Sequence, residues 1–257
     1  MSTFWPTSTD CARPVAEVSG SRDVYAVTRT QNIALAVGAI ICALVAERYW
    51  GATKYRLNTI VYAVPHRYEF SPYYRTRFEI FSGLVAEPDE GIWLLLPASE
   101  LARDVQGYSS MFHGYSSEVP ADMVVNILGG QEARKFGERY ATIWRKVGEL
   151  EKAGAPRQSD PVTGLERIIW LPGEKGTPGQ GHANFYLIPK NGEPGPSDSL
   201  PPSCIASPDI NGLETYDCNY TIHRDSLTFD FMLRQENLKT ADRIPAYVLT
   251  RLAAWRL

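Results

Sequence analysis

The pattern of apolar and polar positions divides the chain into a short apolar segment and a long alternating body. The apolar segment is Ile33-Ala-Leu-Ala-Val-Gly-Ala-Ile-Ile-Cys-Ala-Leu-Val-Ala46, without a charge or a proline. Its nearest charges, Arg29 and Glu47, leave 17 residues between them. A helix spanning a hydrocarbon core of roughly 30 Å needs about 20 residues, with about 17 as the lower limit. Tyr49 and Trp50 follow at once, as aromatic residues do at a membrane–water boundary. A core helix bordering water shows a polar stripe at helical period, and this run has none. The pattern predicts a transmembrane anchor over residues 30–50, preceded by a polar tail at 1–29. The competing expectation is a core helix of a soluble protein, the usual fate of shorter apolar runs. A cleaved signal fits less well, because Arg13, Arg22 and Arg29 are balanced by Asp10, Glu17 and Asp23. Basic residues flank the run on both sides, so charge leaves its orientation open.

Beyond Trp50 the alternation becomes that of strands. Tyr55–Phe70 mixes β-branched and aromatic residues, and Pro65 is expected to break it or mark an edge. Arg77–Ala86 alternates more loosely, and Pro88-Asp-Glu-Gly91 reads as a turn. Ile92–Leu96 reads as a short, fully buried strand, after which Ser99 is expected to cap a helix through Val105. Met123–Leu128 predicts another buried strand, ended by Gly129-Gly130. From Gln131 to Lys152 the apolar residues Ala133, Phe136, Tyr140, Ile143, Val147 and Leu150 recur every three or four positions and predict the longest helix. Strands are expected at Leu165–Leu171 and His182–Pro189. Between Pro172 and Pro208, 14 of 37 residues are Pro or Gly, which predicts two long loops around the second of these strands. Asn219–Ile222 and Leu227–Leu233 predict a hairpin through His223-Arg-Asp-Ser226. Asp242 is placed to cap a final helix, with Pro245 in its first turn and a stripe of Ile244, Val248, Leu249, Leu252 and Trp255. Strands and helices do not alternate regularly, so the body, residues 51–257, is expected to be an α+β, β-rich domain.

Composition narrows the picture. The 257 residues are 44% hydrophobic and 21% charged, ordinary for a folded domain, and a mean hydropathy of −0.24 excludes a polytopic membrane protein. A net charge of −3 gives the whole chain no attraction to nucleic acid or to anionic lipid. Of the four cysteines, Cys11 falls in the tail and Cys42 in the apolar run. Cys204 and Cys218 flank a turn-rich segment with Pro208-Asp209 and Asn211-Gly212, which would set them side by side in a hairpin. Their disulfide is expected to form and to place the domain in an oxidising compartment. Two reduced core cysteines are the alternative.

Candidate chemistry is sparse, and no catalytic, cofactor-binding or metal-ligating residue is assigned. Gly107-Tyr-Ser-Ser-Met111 lacks the second glycine of a nucleophile elbow, and neither a zinc-protease helix motif nor a phosphate loop occurs. The glycines at 173, 176, 179 and 181 are interrupted by Pro178 and precede no helix. Of the four histidines (His66, His113, His182 and His223) none is near another, and Ser109 or Ser110 with His113 is the one nucleophile–base pairing to weigh. Glu87, Asp89 and Glu90 read as a solvated turn, and Asn219-Tyr-Thr221 fits the glycosylation sequon.

Three segments give the chain a likeness. They are Ile92-Trp-Leu-Leu-Leu-Pro-Ala-Ser-Glu-Leu101 with Gly107-Tyr108 after it, Cys218-Asn-Tyr-Thr-Ile222, and Leu227-Thr-Phe-Asp-Phe231 with a helix closing on Trp255. Together with a single N-terminal span, they resemble inner-membrane-anchored periplasmic immunity proteins associated with bacterial type VI secretion effectors. The resemblance implies a single-pass inner-membrane protein with its C-terminal domain in the periplasm. It implies a protein that neutralises a toxin by direct contact, has a protein partner and needs no cofactor. The competing expectations are a membrane-tethered hydrolase with a Ser/His site and an accessory protein of envelope assembly.

Overall fold

A computed structural model describes residues 32–42, 51–70, 91–112, 119–171, 183–191, 194–208 and 214–257. The chain divides into two units, Met1–Glu47 and Arg48–Leu257. In the first, residues 32–42 form helix α1. Among the described residues no helix is long and apolar enough to cross a membrane. Residues 30–31 and 43–50 of the expected anchor lie outside the described residues, as do Arg77–Ala86, the Pro88–Glu90 part of the expected turn, and His113.

The second unit is α+β, as the pattern predicts. Its centre is an eight-stranded antiparallel sheet in the order β3-β6-β12-β11-β10-β9-β8-β7. These strands are β3 (Ile92–Leu96), β6 (Met123–Leu128), β7 (Arg157–Ser159), β8 (Glu166–Leu171), β9 (Ala183–Ile188), β10 (Ser203–Pro208), β11 (Glu214–Arg224) and β12 (Leu227–Arg234). A separate hairpin joins β1 (Ala52–Leu57) to β2 (Ile60–Pro65), and β4 (Met111–Phe112) pairs with β5 (Val119–Pro120). The helices are α2 (Ala98–Asp104), α3 (Gly130–Arg134), α4 (Phe136–Lys152) and α5 (Arg243–Trp255).

The period of two sends alternate residues of each strand to opposite faces. One face carries Ile92, Leu94, Val125, Ile127, Phe229, Phe231, Tyr220, Cys218, Cys204 and Phe185 into the main core. The β1–β2 hairpin, α2 and α5 supply the rest of that core through Tyr55, Val64, Leu101, Ile244, Val248 and Leu252. Every buried member of this core lies between Tyr55 and Leu252. α4 supplies a second, smaller core on the opposite face, where Val147 meets Ile168, Tyr186 and Ile188, with Ile143, Trp144, Leu150 and Trp170 packed around them.

Several sequence expectations need correction. The break in Tyr55–Phe70 falls at Asn58, which takes a positive φ of 55° in the turn, whereas Pro65 merely ends β2. Ser99 does not cap α2. Pro97 is the cap, and the Ala98 N–H donates to Asp122 Oδ1 at 2.7 Å from across the fold. β3 is not fully buried, because Trp93 is 51% exposed: the strand lies at the sheet's edge. The long helix is interrupted at Lys135, which separates α3 from α4. Gly154, at φ +74°, follows the end of α4 as a left-handed glycine should. The Pro/Gly-rich stretch 172–208 contains a strand that its composition concealed, β10, in addition to β9. Asp242 occupies the cap position of α5, but its side chain makes no capping bond.

Candidate functional site

Cys204 and Cys218 form a disulfide between directly opposed residues of β10 and β11, with Cα atoms 4.0 Å apart. Both are fully buried, so the bond belongs to the main core. The Ser/His pairing lies partly outside the described residues, because His113 is not among them. The Ser109 hydroxyl donates to the Met111 carbonyl at 3.0 Å. The Ser109 backbone is held at both ends by buried Asn237, whose Oδ1 accepts the N–H at 2.6 Å and whose Nδ2 donates to the C=O at 3.0 Å. His223 stacks on Phe136 at 5.2 Å, and its Nδ1 lies 3.1 Å from the buried Thr228 hydroxyl. Among the described residues no group of three or more His, Cys, Asp or Glu side chains is placed to hold a metal ion.

Two polar clusters are internal to the fold. Buried Asp160 accepts hydrogen bonds from Arg167 Nε at 2.9 Å, Tyr216 Oη at 2.7 Å, and the Thr163 N–H and hydroxyl at 2.7 and 2.6 Å. The Arg167 guanidinium lies 4.6 Å from the ring centres of both Phe185 and Tyr216. Burial works against the Asp160 charge, yet the bonds from Thr163, Tyr216 and Arg167 outweigh it and hold the carboxyl below its ordinary value. The second cluster joins α5 to α2. Arg251 donates to Glu100 at 2.9 Å, Asp104 at 3.0 Å and the Tyr247 hydroxyl at 2.9 Å, while Tyr68 donates to Glu100 at 2.7 Å. Both clusters satisfy themselves, as structural networks do.

The remaining candidate is the second face of the sheet. α4 covers it over β8 and β9, where Trp170 and Tyr186 pack beneath the helix. Over β3, β6, β12, β11 and β10 the same face presents a different set of residues. Trp93, Asn126, Asp230 and Thr221 form one row across four strands. Met232, Asn219 and Ser203 form the next, and Arg234, Asp217 and Ile205 the one after. Trp93 is 51%, Met232 54% and Ile205 46% exposed, and Phe70 stands beside Trp93 with ring centres 6.2 Å apart. The Phe70 N–H donates to the Trp93 carbonyl at 3.0 Å, so this aromatic pair is fixed to the sheet edge.

Among the described residues the charges on this face stand in opposite-sign pairs. Arg139 of α4 lies 3.6 Å from Asp230, which also accepts from Thr221 at 2.5 Å, and Arg234 lies 3.6 Å from Asp217. Burial raises the Asp217 carboxyl above its ordinary value, Arg234 opposes the rise and Glu236 adds to it. Glu236 Oε2 and Asn126 Oδ1 are buried acceptors with no hydrogen-bond partner among the described residues.

Sequence reasoning missed these residues. In Leu227-Thr-Phe-Asp-Phe-Met-Leu-Arg234 the alternation does put Met232 on the face opposite Phe229 and Phe231. What it leaves out is which stretch of that face receives a helix. No family model, curated protein or solved structure matches the chain.

Proposed function

We propose that the chain is a membrane-anchored periplasmic protein of the inhibitor or immunity kind, which neutralises a secreted toxin by direct contact. The observation that carries this reading is the disulfide-locked sheet with part of one face uncovered and bearing Trp93, Met232 and Ile205 at about half exposure. Exposed Trp and Met set among polar residues on a folded domain are residue types enriched at interaction surfaces. The disulfide is of the kind that persists outside the reducing cytosol. The large apolar residues of α1, Ile33, Leu35, Val37, Ile40 and Ile41, are between 49% and 72% exposed, a surface that suits lipid.

The test is topology followed by turnover. Reporters fused to the C-terminus of the full chain should be active when they require the periplasm and silent when they require the cytosol. The reverse pattern overturns the reading. Steady hydrolysis of a lipid, glycan or peptide by the purified chain also overturns it.

A further inference from the structure

We draw no further inference here: the strongest candidate, the surface patch bearing Phe70, Trp93 and Met232 on the second face of the central sheet, carries nothing, because nothing in the structure shows what covers it.

Discussion

The two faces of the central sheet are built from the same strands and have opposite fates. On one, β12 places Leu227, Phe229, Phe231 and Leu233 in a core that the hairpin, α2 and α5 close completely. On the other, the intervening residues Thr228, Asp230, Met232 and Arg234 range from fully buried Thr228 to half-exposed Met232. Burial therefore follows from what lies above a residue as much as from the residue itself. α4 closes the second face over β8 and β9 and, through Phe136, over His223 at the end of β11, and the more exposed part carries Trp93, Met232 and Ile205 among polar residues.

The contrast is sharpest within the single strand β12. Phe229→Ala removes a fully buried ring from the closed face and should cost about 3–5 kcal/mol. Met232→Ala, three residues on and facing the other way, should shift stability by no more than ~0.5 kcal/mol. Urea denaturation of both variants checks the pair. Equal losses would mean that the second face is closed in solution.

Asp160→Asn comes next. It removes the carboxylate that Arg167, 6% exposed, is paired with here, and breaking a buried pair costs about 3 kcal/mol or more. The pH dependence has a definite sign. The folded-state carboxyl lies below its ordinary value, so its contribution is complete above the unfolded carboxylate range. That contribution is lost as pH falls through the folded value. Wild type should lose stability to acid more steeply than the Asn variant, as read from denaturation midpoints between neutral and acid pH.

Replacing Cys204 and Cys218 together by Ala should cost roughly 3 kcal/mol, the scale for a closed loop of this size. Chemical denaturation with and without reductant should give the wild type the same drop and the double variant none. A wild type indifferent to reductant would show that the β10–β11 pairing and its flanking sheet carry the hairpin unaided.

Much of this architecture was legible because two periodicities are strong. β6, β8, β9 and β12 fall within the segments read as strands, β6 from its apolar run and β9 from its alternation, and α4 and α5 fall where apolar residues recur every three or four positions. The cysteine pairing was legible too, since a turn between equal flanks makes Cys204 and Cys218 cross-strand neighbours. β10 was hidden because Pro201, Pro202 and Pro208 surround a Ser-Cys-Ile-Ala-Ser segment too short to display a period. The cap of α2 was hidden for a different reason: Asp122, which accepts the Ala98 N–H, is 24 residues away in the chain. The uncovered face was the least legible of all. A partly exposed strand and a buried one share the same alternation until a second element is placed over one of them.

The smallest expected effect contrasts the two faces through their acids. Asp217, on the second face, is raised where Asp160 is lowered: burial disfavours its charge and Glu236 reinforces that, while Arg234 only partly compensates. A carboxyl with a raised folded value contributes nothing below the unfolded range. It then costs stability as pH rises through the folded value. Asp217→Asn should therefore stabilise the chain slightly at neutral pH and leave it unchanged in acid, the reverse of Asp160→Asn. Thermal unfolding of the two variants at both pH values decides it. A loss at neutral pH for Asp217→Asn would mean that the 3.6 Å contact with Arg234 outweighs burial, and that this carboxylate serves the fold as Asp160 does. A gain would mark Asp217 as a charge the chain carries at a cost, because burial outweighs the contact with Arg234.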